Sequence, residues 1–140
     1  MANGELRHVR QTNRSSGCGP ACLAMVANTT ESAAIEVLFE ASQTRSLHTW
    51  WPDLKRGLKA LKVRASGRAK RVAVWSRIET PAIVACGRNL DREGEANWHW
   101  VVFMPDANGG LVYDPLREGP VPTSRIRRKP FSYLEVTPKQ

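Results

Sequence analysis

The chain has 140 residues, a mass of 15.6 kDa, 41% hydrophobic and 24% charged residues, and a formal net charge of +8. That balance is the composition of a globular chain able to bury one modest core, and it excludes disordered, fibrous and disulfide-stapled classes. No apolar run reaches the roughly 18–20 residues of a membrane span, so no membrane partner is expected.

Residues 1–140 read as one domain, with no internal repeat, low-complexity tract or boundary. The opening "MANGELRHVRQ" is too polar for a secretory signal, which points to the cytoplasm. Three cysteines cannot all pair within one chain, so reduced thiols are the simpler assumption.

The first element is predicted at "PACLAMVAN" (20–28), with Pro20 at the first helical position after Gly19 and an apolar helix after it. "NTTES" then supplies a threonine cap and an acidic first turn for a second helix, whose stripe is Ala34, Ile35, Leu38 and Ala41. A third helix is expected from Trp50 to Leu61. Trp50, Leu54, Leu58 and Leu61 would share its apolar face, and Lys55, Arg56, Lys59 and Lys62 the other.

The second half reads as strands: "PAIVAC" (81–86), "WHWVVFM" (98–104), "LVYD" (111–114) and "FSYLEV" (131–136). "VRAS" and "RVAVW" are candidate strands, although "KRVAVWSRIE" suits a helix equally well. Helices first and an antiparallel sheet second make the fold class α+β.

Cys18 stands between two glycines at the head of an apolar helix. A thiol is nucleophilic as a thiolate, and a helix N-terminus stabilises that anion through its free N–H groups and dipole. Flanking glycines let a substrate backbone approach the sulfur. Cys22, one turn on, and Cys86, inside "PAIVAC", read as packed hydrophobes. "CGPAC" has the spacing C-x₃-C, not the C-x-x-C of a dithiol redox motif. Cys18, Cys22 and His99 lack the paired spacing of zinc ligands. No cofactor or metal is therefore expected.

His99 lies in "NWHWVVFMPDANGGLVYDP", a strand, a turn and a second strand ending at Asp114. With the turn centred near residues 106–108, His99 and Asp114 fall almost opposite each other on adjacent strands. A carboxylate there would fix the tautomer of the imidazole and favour its charged form. Trp98 and Trp100 would point to the other face, into the core. His8 and His48 have no comparable context and read as surface residues. Gln11, upstream of Cys18, has an amide that can aim at a developing oxyanion.

The order "Q(x6)CGPACLAMV", "TPAIVA" and "HWVVF…GGLVYDP" resembles the C39-type, bacteriocin-processing peptidases of the papain-like superfamily, over about Gln11 to Pro115. The resemblance implies a helical half packed on an antiparallel sheet. It also implies Cys18 as nucleophile, His99 as general base and acid, Asp114 as its orienter and Gln11 as oxyanion donor. One extra residue separates Gln11 from Cys18 relative to the usual family spacing, so Asn13 remains an alternative donor. The implied substrate is a protein or leader peptide cut after a Gly-Gly pair.

Many family members front a membrane transporter, and none follows here. Together with the charge of +8, this tilts the expectation towards the toxic domain of an interbacterial effector delivered into a target cell. An effector role would bring an immunity or inhibitor protein as partner. The same triad can run deamidation, transglutamination or amide hydrolysis. A nucleic-acid-binding module, with "KRGLKALKVRASGRAKR" and "SRIRRKP" as its footprint, is the rival of another class. A papain-like fold that has lost catalysis is a third. Without a recognised binding motif, nucleic acid is not the expected partner.

Overall fold

The computed structural model describes residues 6–13, 16–39, 47–90 and 96–140. Three helices come first, α1 (Cys18–Ala27), α2 (Glu31–Leu38) and α3 (Trp51–Ala60). The strands follow: β1 (Arg64–Ala65), β2 (Lys70–Arg71), β3 (Ala82–Leu90), β4 (Ala96–Met104), β5 (Leu111–Tyr113), β6 (Val121–Pro122) and β7 (Pro130–Thr137). Sheet order is β1-β7-β3-β4-β5-β6, with β2 also pairing β7, and these pairings are antiparallel. The α+β expectation holds.

All ten residues of α1 are buried, the burial that a helix apolar on every side requires. It begins two residues earlier than its sequence suggests. Cys18 opens it, and Pro20 sits within the first turn, where a missing N–H costs no intrahelical bond. α2 is capped as expected, Thr30 accepting from the Ala33 amide at 3.1 Å. Ala34 and Leu38 face inward, and Ala41 lies outside the described residues.

α3 corrects the predicted face. Trp51, Leu54 and Leu58 are buried, whereas Trp50 is 41% exposed. The i, i+3, i+7 stripe starts at Trp51, because Trp50 is the extended residue before the first turn; its amide donates to the Asp53 carboxylate at 2.8 Å.

Strand β3 is apolar from Ala82 to Cys86, where both its faces are covered. Ile83 and Ala85 pack with α1, α3, Trp100 and Val102 in the larger core. Ala82, Val84 and Cys86 pack on the opposite face with Val101, Phe103 and Val112. "VRAS" yields the two-residue β1. "RVAVW" pairs only through Arg71 and then turns into a short 3₁₀ segment, Trp75–Arg77. Among the described residues, no helix is long and apolar enough to cross a membrane.

Candidate active site

Cys18 is the first residue of α1, and Gly17 at the cap supplies no side-chain hydrogen bond. The first turn holds no acidic residue. The sulfur therefore stands at the positive end of the helix dipole with no acidic side chain in the first turn. The backbone is crowded here: a Cβ on Gly19 would stand 2.0 Å from the Thr49 Oγ1. Thr49 is itself buried, with no hydrogen-bond partner for that oxygen. Only a glycine lets the loop before α3 close on the residue after the cysteine.

α1 packs against β4, and this places Cys18 where it interacts with the His99 ring. The other side of the ring is pinned, with His99 Nε2 2.6 Å from Asp114 Oδ1. That contact leaves Nδ1 for the sulfur. The His99–Asp114 pair is nearly enclosed, with both residues buried.

The strand register explains the meeting. β4 and β5 pair as Val102 with Tyr113, Phe103 with Val112 and Met104 with Leu111. Continued by one step, this sets Asp114 opposite Val101, two residues along from His99 on the same face. His99 and Asp114 are therefore diagonal neighbours rather than almost opposite. The turn brings this about: Asp106 Oδ1 accepts from the amides of Asn108 (2.8 Å) and Gly110 (2.7 Å). Asp114 in turn accepts from the Leu116 amide at 2.9 Å, which curls the chain after β5 and holds the carboxylate in place.

Charge follows geometry. Burial works against a charged His99, but its hydrogen bonds with Asp114 and Cys18, and the charges of both, outweigh it. The ring is pushed up to about 9 from its ordinary 6.5 and is imidazolium at neutral pH. Burial would raise Asp114, but the His99 hydrogen bond and charge, the Leu116 amide and Arg128 hold it below the ordinary carboxylate value. Cys22 and Cys86 are held protonated. Burial, then the neighbouring Cys18, pushes Cys22 well above its usual value. Burial pushes Cys86 up to about 12, against the opposing pull of Arg128. All three cysteines are free and buried, Cys18 least so at 9% exposure.

A cysteine at a helix head, an imidazolium on a strand and a carboxylate after the next strand recur here in the order the sequence proposed. A family model described as the Peptidase C39 family matches residues 6–131. The chain belongs to the peptidase C39 family. It is thereby a peptidase of the cysteine, papain-like type. Comparison with curated proteins and with solved structures gives no match.

Gln11 comes to this C39 site through the N-terminal segment. Its amide N–H donates to the Pro115 carbonyl at 3.0 Å, and its buried side chain packs on Gly17. The side-chain Nε2 donates to the Asn13 carbonyl at 2.8 Å, leaving one amide hydrogen for another acceptor. Asn13 Oδ1 accepts from the Ser16 amide at 3.1 Å, so both amides are built into the loop before Cys18.

His8 is not the free surface residue expected. It is half-buried, its Nε2 lies 2.6 Å from the Arg117 carbonyl, and its ring lies beside Tyr113. His48 is exposed. Trp100 enters the core and Trp98 packs against it, on the face away from His99, as strand alternation predicts. Trp98 also carries the exposed Trp50 at a ring separation of 4.7 Å.

Two neighbours of the site were not legible. Arg128 Nη1 lies 3.4 Å and Arg117 Nε 3.8 Å from Asp114 Oδ2. "SRIRRKP" reads as a mere basic connection until β7 pairs with β3 and delivers Arg128 over Gly87. Gly87 has φ +65, and a Cβ there would stand 2.9 Å from the Arg128 stem.

Proposed function

We propose that the chain is a cysteine endopeptidase that cuts after a Gly-Gly pair, with Cys18 as nucleophile. One observation carries this reading: the Cys18 thiol meets an imidazolium that Asp114 anchors at 2.6 Å. The Cys18 thiolate attacks the scissile carbonyl. The emerging oxyanion is held by the remaining Gln11 amide hydrogen and by an N–H at the head of α1. His99 gives its proton to the leaving amine, and the acyl chain stays on sulfur. Neutral His99 then takes a proton from water, whose oxygen attacks the thioester, and the thiolate departs.

Support for the Gly-Gly preference comes from the family and from the enclosure of Cys18. A nucleophile residue with 9% exposure is reached most readily by residues without side chains. As the setting of this activity we put forward the toxic domain of an interbacterial effector, in keeping with the charge of +8.

The test is a search for new protein N-termini in bacterial lysate treated with the active chain, against Cys18→Ala. Cuts following Gly-Gly that vanish in the variant support the reading. A one-dalton gain on glutamine with no cut would replace it by a deamidase.

A further inference from the structure

We infer that the arginine-lined cavity behind Asp114 binds a small phosphate-class oxyanion, and that its occupant acts on the Cys18–His99 pair through Asp114. The cavity has a volume of about 280 Å³ and lies on the sheet face opposite the helices. Its floor is apolar: Cys86 from β3, Val101 from β4 and Val112 from β5. Its walls are Arg117, after β5, and Arg125, Arg127 and Arg128, between β6 and β7. Asp114 is the only acid lining it among the described residues.

Four arginines thus line a cavity that holds one carboxylate, and that carboxylate is already committed. Its Oδ1 serves His99 and the Leu116 amide. Its Oδ2 faces the arginines at 3.4 and 3.8 Å, longer than the roughly 2.7–2.9 Å of a docked charge-assisted bond. Neither Arg117 nor Arg128 is therefore seated as a fork on Asp114, and each keeps most of its five donors. Arg125 and Arg127 make no side-chain hydrogen bond or ion pair among the described residues.

Like charges gathered over an apolar floor repel one another at reduced dielectric, and an anion that bridges them relieves the repulsion. Tetrahedral oxygens match guanidinium forks two at a time. The recess favours a small ion over an extended acidic partner, which would lie across the rim.

The occupant would reach the chemistry by one route. The charged and titratable groups around His99 are Asp114, Cys18 from α1, Cys86 across the β3–β4 ladder, and Arg117 and Arg128 beyond Asp114. An oxyanion draws the two arginines off Oδ2 and adds negative charge behind it. Asp114 then holds the His99 proton more firmly. By reciprocity, protonated His99 favours the bound anion. This coupling rests on the reading of His99 as the acid–base group; the binding does not.

The experiment titrates inorganic phosphate into the full chain at constant ionic strength, following phosphorus-31 NMR and, separately, the pH profile of kcat/KM. Saturable binding is expected. The double variant Arg125→Gln/Arg127→Gln should weaken it by roughly tenfold, as for two lost charge-assisted contacts, while phosphate-free activity stays at the wild-type level. Phosphate should move the alkaline limb upward in the wild type, and much less in the double variant. Non-saturating binding, equal binding by the double variant, or tighter binding of a poly-glutamate peptide than of phosphate would overturn the site. Binding with a stationary alkaline limb would overturn the coupling.

Discussion

Replacing Asp114 by asparagine tests the electrostatics of the triad more sharply than removing the nucleophile does. The substitution keeps the shape and removes the charge that sustains His99 as imidazolium. The rise of His99 from 6.5 to about 9 represents roughly 3 kcal/mol in favour of the charged ring, at about 1.4 kcal/mol per tenfold. Burial opposes that rise and Asp114 supports it more than Cys18 does, so without the carboxylate the ring should fall back towards its ordinary 6.5. The sign follows directly. A raised value means the competent imidazolium is lost as pH climbs, near 9 in the wild type and towards 6.5 in the variant.

At pH 8 the charged fraction falls from roughly nine-tenths to roughly 3%, whereas at pH 6 both rings are mostly charged. Initial rates on a Gly-Gly peptide across pH 6–9 therefore carry the test. Any loss from misorientation is common to all pH values, but the ratio of wild type to Asp114→Asn should widen by roughly 20-fold between pH 6 and pH 8. A ratio that stays flat across this range would refute the electrostatic role and leave Asp114 only as a positioning group.

Iodoacetamide at neutral pH should label Cys18 alone in the folded chain, because Cys22 and Cys86 are buried and protonated; faster labelling of either would reassign the nucleophile. Cys22→Ala should keep most of the activity in the same peptide assay, with a modest loss in melting temperature. Gly19→Ala forces a Cβ to within 2.0 Å of the Thr49 Oγ1 and should cost about 1–3 kcal/mol in denaturant unfolding, with Thr49→Ala restoring most of it in the double variant. Thr30→Ala should cost about 1 kcal/mol by the same measurement and leave kcat/KM alone, since it removes only the cap of α2. Stability should decline from pH 6.5 towards pH 9 as His99 loses the advantage of its raised value, and a His99→Gln variant should lack that share of the decline in thermal melts.

Much of the site could be read in the sequence because its information is local. Gly17, Cys18, Gly19 and Pro20 specify a glycine-flanked helix head, and the Asp106 turn fixes the parity that puts His99 and Asp114 on one face. Local signals fail where tertiary contact decides. Trp50 and Trp51 are equally apolar, and the choice between them depends on where α3 meets the sheet. Arg128 lies 14 residues from Asp114, and only the β3–β7 pairing and the room left by Gly87 bring it there. Nothing in periodicity marks Thr49, whose contact with Gly19 spans thirty residues of chain.

The buried groups form a line of alternating charge. Cys18 faces the His99 imidazolium, which faces the Asp114 carboxylate, which faces the Arg128 and Arg117 guanidiniums. Each interior member is tolerable in a nearly dry site because opposite charge flanks it on both sides; removing any one leaves a neighbour buried and uncompensated. The line has one exposed end, where the arginine side chains are 46% and 55% accessible, and one guarded end, at the sulfur. On the proposed mechanism, substrate meets the guarded end, where selectivity depends on shape. Solvent and small ions meet the other, so the ionic environment can influence His99 without entering the cleft. A peptidase that buried its carboxylate under neutral side chains would lack that second entrance.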